Sequence, residues 1–333
     1  MNILVTGGAG YIGSHVCKAL AMSGFKPVVY DNLSRGNRWA VKWGPFEEGD
    51  IADEVRLREV LAFHRPSAVM HFAAYAYIAE SVEKPLLYYQ NNIVGSATLL
   101  RTVVEWRIPV VFSSTCATYG IPEKTPITEN HPQRPINPYG YSKLAVESML
   151  KDMERAYQLR SIILRYFNAA GADPAGEIGE AHNPESHLIP RVLAAARNDA
   201  VVRVYGDNYD TPDGTCIRDY IHVADLADAH VSALKYLLSG GPGCALNLAN
   251  TRGYSVLEVI ESARCVCGQR IRTETAPPRP GDPPILIGAA ARARELFNWT
   301  PRRSALDLQI QDAWNWMQTA SASCTRMAPA PAV

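Results

Sequence analysis

Asn2-Ile3-Leu4-Val5-Thr6 leads into Gly7-Gly8-Ala9-Gly10-Tyr11-Ile12-Gly13 and on into Ser14-His15-Val16-Cys17-Lys18-Ala19-Leu20. The order is apolar strand, glycine-rich turn, amphipathic helix. Gly8, Gly10 and Gly13 satisfy G-x-G-x-x-G, and Gly7, Gly10 and Gly13 also satisfy G-x-x-G-x-x-G. The spacing has a mechanical meaning. The first glycines permit a tight turn that brings backbone N–H groups up to a pyrophosphate, and the last lets helix and strand pack closely. The helix then meets the anion with unsatisfied N–H groups and the positive end of its dipole. A second strand, Pro27-Val28-Val29-Tyr30, ends in Asp31. That is close to the roughly 20-residue offset at which an acid grips a ribose diol. The stretch predicts a dinucleotide site, against the plainer alternative of a glycine-rich turn with no ligand.

Outward from this unit, strands and helices keep alternating. A polar loop spans 32–44, and a short extended segment ends at Asp50-Ile51. The pattern then predicts a helix over 53–64, a buried strand over 68–72, a long helix over 85–106 and a strand over 110–112. The loop 113–138 holds Pro122, Pro126, Pro132, Pro135 and Pro138; a connection of that length signals function. A helix over 139–158 and a strand over 161–165 follow. Apolar strands separated by helices imply an α/β fold with a Rossmann-type, doubly wound parallel sheet, its ligands at the carboxyl ends of the strands. After Asn168 the elements shorten, and 169–190 is rich in Gly, Pro and acids. The expected organisation is a nucleotide-binding domain over 1–168 and a smaller C-terminal substrate lobe over 169–319, some of whose strands rejoin the main sheet. The stretch 320–333, rich in Ala and Pro, is expected to be a disordered tail.

Composition narrows the function classes. The 333 residues suffice for two domains or one large unit with a lobe. With 33 basic and 33 acidic residues, nothing favours nucleic acid or an anionic membrane as partner. No apolar run of about 18 residues suggests a membrane span. A strand beginning at residue 2 leaves no room for a signal peptide, and the 7 scattered cysteines read as reduced thiols. A cytoplasmic location is the expectation, and no metal site is expected.

Tyr139-Gly140-Tyr141-Ser142-Lys143 opens the helix after the proline-rich loop. Residues i and i+4 share a helix face, so Tyr139 and Lys143 both address one cleft. A phenol titrating near ~10 is a poor base at neutral pH. A nearby ammonium would lower that value and make it a usable general base. Thr115, at the end of Phe112-Ser113-Ser114-Thr115, offers a hydroxyl to the same substrate oxygen.

With the glycine turn, Asp31, Thr115 and Tyr139-x-x-x-Lys143 in this order, the chain resembles the extended short-chain dehydrogenase/reductases. Further stretches narrow the resemblance to the UDP-glucose 4-epimerase branch of NAD-dependent epimerases. They are Tyr11-Ile12-Gly13-Ser14-His15, His71-Phe72-Ala73-Ala74, Asn91-Asn92, Ser114-Thr115-Cys116-Ala117-Thr118-Tyr119-Gly120, Leu164-Arg165-Tyr166-Phe167-Asn168, Asp213-Gly214-Thr215-Cys216-Ile217-Arg218-Asp219-Tyr220 and Arg279-Pro280-Gly281-Asp282. The resemblance implies a resident NAD regenerated at each turnover, a transient 4-keto sugar and a homodimer, with 85–106 and 139–158 as the expected dimer helices. By that resemblance Tyr139, Lys143 and Thr115 are catalytic. The cofactor positions are Gly7, Gly10, Tyr11, Ile12, Gly13, Asp31, Asn32, Asp50, Ile51, Phe72, Asn92 and Phe167, together with Thr115, Tyr139 and Lys143. The UDP-sugar positions are Asn168, His187, Leu188, Arg203, Val204, Tyr205, Arg218, Arg279, Asp282 and Leu286. Asp31 should repel a 2′-phosphate, favouring NAD over NADP, although Arg35 stands nearby.

The sequence also departs from the family's pattern. Thr115 stands where Ser is frequent, Ala76 where some members have Lys, and His187 where many have Asn. Leu286 bears on tolerance for 2-substituents, and the stretch 112–120 also resembles UDP-xylose/UDP-arabinose 4-epimerases. A 4,6-dehydratase would need an acid/base pair after the threonine, which Cys116-Ala117 do not provide. A non-catalytic NAD(H) sensor would commonly lose Tyr139 or Lys143, and both are present. His71 and Cys116 read as structural, Trp299, Trp314 and Trp316 as core or interface, and Asp219 and Asp225 as strand-end and helix-cap residues.

Overall fold

A computed structural model describes residues 1–279 and 281–325. In chain order the first half comprises β1 (Asn2–Thr6), α1 (Tyr11–Met22), β2 (Lys26–Asp31), β3 (Phe46–Glu48), α2 (Glu54–His64), β4 (Ala68–His71), α3 (Ile78–Glu83), α4 (Pro85–Tyr88), α5 (Ser96–Trp106), β5 (Val110–Thr115), α6 (Pro138–Tyr157) and β6 (Ser161–Tyr166). The second half comprises β7 (Asn168–Ala170), α7 (Leu188–Asn198), β8 (Val201–Tyr205), β9 (Ile217–His222), α8 (Val223–Leu238), β10 (Cys244–Leu248), β11 (Gly253–Ser255), α9 (Val256–Cys267), β12 (Arg272–Ala276), β13 (Ile285–Leu286), α10 (Ala291–Phe297) and α11 (Leu306–Thr325).

Seven strands form one parallel sheet in the order β10-β6-β5-β4-β1-β2-β3. Side chains alternate across it. Ile3, Val5, Met70, Val111 and Leu164 face α1 and α8, while Leu4, Val69, Val110, Phe112 and Ile163 face α2, α5 and α6. Both faces are therefore dry, as an all-parallel sheet requires. Strand order reverses between β1 and β4, so their carboxyl ends open a crevice where a ligand can enter.

β10 and α8 return from the second half to complete this layer, the rejoining the sequence allowed for. The remaining segments form a lobe with its own core, in which α7, β8, α9 and α11 pack around Leu193, Val204, Ile260 and Ile310. In that lobe β9 pairs with β7, β11 and β13.

Two expectations need correction. The predicted helix over 85–106 is not uniform: a π-helical turn, Tyr89–Gly95, separates α4 from α5. There Asn92 turns its amide inward to bond Tyr75 N, Tyr75 O and Ser142 Oγ. The expected tail is also shortened, because α11 continues through Thr325; residues 326–333 lie outside the described residues.

Candidate active site

The expected cofactor residues follow the carboxyl ends of β1 to β6, with Asn92 in the π-helical turn and Tyr139 and Lys143 at the start of α6. Gly7 takes φ +73°, and a Cβ there would lie 2.5 Å from Ala73 N. A Cβ on Gly13 would lie 2.2 Å from Gly7 O, so the turn and α1 can approach only without side chains. Gly10 caps α1 with no side-chain bond, and the first turn carries no acid. Its N–H groups and positive dipole end are thus left for an anion. This cradle fits a dinucleotide pyrophosphate.

Asp31 accepts from Ala9 N at 3.0 Å and Leu33 N at 2.9 Å, tying β2 to the turn. Burial raises its carboxyl, an effect those two bonds oppose. Asn32 donates to Asp50 at 2.7 Å, and Ile51 packs against Gly95. Tyr11 donates to Gly171 O at 2.7 Å, Ile12 and Phe72 line the adjoining core, and Phe167 closes against Gly288.

Arg35 does not reach toward Asp31. It pairs with Glu80 at 2.7 and 2.8 Å and lies over the rings of Tyr75 and Tyr77. A charge that left the cofactor preference open is thus engaged by α3.

Asn137 caps α6 by accepting from Gly140 N, and Pro138 sits in the first turn. This fixes where Tyr139 emerges, close enough to Thr115 for that hydroxyl to act on its phenol; Thr115 Oγ1 itself accepts from Ala117 N at 3.1 Å. Burial drives the Tyr139 phenol well above its ordinary range, opposed only in part by Thr115. Burial also lowers Lys143 to about 7, with Glu147 working against the shift. The expected lowering of Tyr139 by Lys143 is therefore not found. Lys143 donates to Ser113 O at 2.8 Å and lies over the Phe112 ring, so its ammonium is directed into the end of β5.

Beneath these groups, Glu147 accepts from Ser114 Oγ, Gln133 Nε2 and Arg165. Arg165 continues to Tyr119, which donates to Asn247 on β10. Sequence reading missed this layer, although Glu147 lies one further turn along the face that carries Tyr139 and Lys143.

On the substrate side, Arg218 of β9 pairs with Asp282 and stands in register with Leu286. Arg279 lies over the Tyr205 ring at 4.2 Å, and Asn168 begins β7. Two expected residues are placed otherwise. Val204 faces the lobe core, because alternation along β8 turns it away from Tyr205. Arg203 is exposed and bound to Glu274 on β12 at 2.5 Å. His187 caps the start of α7, where Leu188 lies, but its Nδ1 is taken by Glu180 at 2.5 Å.

The residues read as structural have structural partners. His71 bonds Thr6 Oγ1 and Ser96 Oγ. Burial pushes the Cys116 thiol up to about 12. Trp299 is buried and donates to Asp225 O, and Trp316 stacks on Trp39. Asp219 accepts from Asn250 N and Thr251 N, and Asp225 from Arg302 N and Arg303 N. No helix among the described residues is long and apolar enough to cross a membrane.

Residues 3–249 match the model of the NAD dependent epimerase/dehydratase family. The UDP-glucose 4-epimerase of Rhizobium meliloti (strain 1021) is 51% identical over 318 residues, covering 95% of this chain and 96% of that protein. The crystal structure of UDP-glucose 4-epimerase from Brucella ovis in complex with NAD is similar with a TM-score of 0.92 at 52% identity, over 94% of this chain and 97% of that one. That of Bifidobacterium longum UDP-glucose 4-epimerase in complex with NAD+ and UDP is similar with a TM-score of 0.92 at 35% identity, over 96% and 99%.

Proposed function

The chain belongs to the NAD dependent epimerase/dehydratase family, and within it we propose that it interconverts UDP-glucose and UDP-galactose as an isomerase with NAD as cofactor. The observation that carries this reading is the placement of Tyr139 and Lys143 one turn apart on α6, with Lys143 donating to the Ser113 carbonyl of β5, on the sheet whose β1 runs into the glycine cradle. When bound, NAD supplies the hydride acceptor for the sugar C4.

The chain's own groups supply the rest. Tyr139 Oη takes the proton of the 4-hydroxyl and later returns it, while Thr115 holds the same oxygen. A phenol raised by burial needs a positive charge nearby to act as base. Lys143 sits one helical turn away, and because burial lowers it to about 7, only part of the population carries that charge at neutral pH. Arg218 and Arg279 suit a diphosphate, since a guanidinium can grip phosphate oxygens with paired bonds. Asn168, Leu188, Tyr205, Asp282 and Leu286 surround the remaining UDP-sugar in this reading. The same reading carries a homodimer through α5 and α6, where Trp106, Tyr141 and Tyr157 are exposed, working in the cytoplasm.

The test is incubation of purified protein with UDP-galactose and no added NAD, followed by chromatography. Appearance of UDP-glucose up to a stable ratio is the expected result. No conversion of either hexose in protein shown to hold NAD would overturn it, and turnover of UDP-xylose alone would move the activity to the pentose branch.

A further inference from the structure

We propose that Glu180, His182, Glu185 and His187 form a binding site for a divalent transition-metal cation of the zinc class. The inference does not rest on the epimerase reading. One ligand atom from each residue lies within 4.8 Å of all the others. Glu180 Oε1 is 3.0 Å from His182 Nδ1 and 2.5 Å from His187 Nδ1. The Glu185 carboxylate approaches the same two nitrogens at 3.6 and 3.5 Å. Both imidazoles therefore present the same ring atom to one point between two carboxylates.

The surroundings prepare the four groups. Glu185 Oε1 accepts from Ser186 N at 2.7 Å and His187 N at 2.8 Å, which orients the carboxylate and leaves Oε2 toward His182. The His182 ring is held edge-on by Tyr11 and Tyr77. Its Nδ1 is shut off from solvent and makes no aligned hydrogen bond, even though Glu180 is near. An inward-directed nitrogen without such a bond is what an ion would complete.

The donor set selects the metal class. Two imidazole nitrogens with two carboxylate oxygens suit tetrahedral zinc and its neighbours, whereas magnesium and calcium favour shells built from oxygen. The four residues follow one another in the sequence with the spacing E-x-H-x-x-E-x-H. A metal here would fix the segment that feeds into α7. The competing account is an ion-pair quartet that binds no metal.

Protein stripped with a chelator and free of an affinity tag would be titrated with Zn2+ by calorimetry and with Co2+ by visible absorption. The expected result is one ion per chain, with the intense visible bands of tetrahedral cobalt. His182→Ala and Glu185→Gln should each weaken binding by about 10-fold or more. Glu185→Gln, close to isosteric, serves if His182→Ala fails to fold by circular dichroism. Absence of uptake at equimolar metal would establish the ion-pair quartet and overturn the proposal. Uptake unchanged in both variants would place the ion elsewhere, for instance at Cys265 and Cys267, and would overturn it equally.

Discussion

Arg165 of β6 forks onto Glu147 of α6, with Nη2 to Oε2 at 2.6 Å and Nε to Oε1 at 3.0 Å, and both side chains are shut away from water. Through Ser114 the same carboxylate reaches the residue before Thr115. One buried charge pair thus joins the strand that ends in the hydroxyl to the helix that carries Tyr139 and Lys143. Removing one partner of such a pair leaves an uncompensated buried charge, at a cost of about 3–5 kcal/mol. Arg165→Met or Glu147→Ala should lower unfolding stability by that order in urea titrations. The double change to apolar residues should cost less than the two singles added. A loss below about 1 kcal/mol for either single variant would mean the pair is not buried as described.

Arg35 and Glu80 join the loop after β2 to α3, on opposite sides of the crevice at the sheet's switch point. Their contact, with Tyr75 and Tyr77 against the guanidinium, should slow departure of a dinucleotide held between them. Arg35→Ala is expected to fold normally but to lose NAD about tenfold faster, the equivalent of roughly 1.4 kcal/mol. Nucleotide absorbance remaining with the protein after gel filtration reads this directly. Retention equal to the parent chain would show that the contact does not gate the cofactor.

Acid should destabilise the fold through three buried histidines. Burial lowers His15 and His230 to about 4 and His71 to about 3, whereas the unfolded chain titrates them near 6.5. The unfolded state therefore binds protons first as pH falls. The stability these residues contribute is complete above about 6.5 and is lost progressively as pH falls to about 4 for His15 and His230 and to about 3 for His71. Each adds a slope of up to about 1.4 kcal/mol per pH unit within that window. Denaturant midpoints at pH 6.5 and 5 should differ accordingly, and His230→Leu should make the dependence shallower. Equal slopes in variant and parent would remove His230 from the account.

The beginning of the chain was readable because its signals are local. Strand, glycine turn, helix and Asp31 follow in sequence, and each obeys a short-range rule. What escaped reading depends on distant partners. β10 joins the main sheet only by pairing with β6, and nothing around Cys244 announces that partner. The i, i+4 spacing puts Lys143 on the face of Tyr139, yet which atom it bonds depends on the Ser113 carbonyl arriving on a neighbouring strand. Val204 follows from alternation along β8 once the lobe core is known, and before that either face was possible. Glu147 had a usable signal in its spacing from Lys143, but its arginine comes from another element.

The central claim is that hydride leaves the sugar C4 and returns to it within one protein molecule, with Tyr139 handling the proton. UDP-galactose carrying deuterium at C4, incubated with the protein in ordinary water and with free NAD added, tests this most directly. The predicted product is UDP-glucose with the deuterium still at C4 and none in the free nucleotide, and Tyr139→Phe should slow its formation by about 10²–10⁴-fold while NAD stays bound. Loss of the label to water, its appearance in free NADH, or undiminished turnover by Tyr139→Phe would contradict the account.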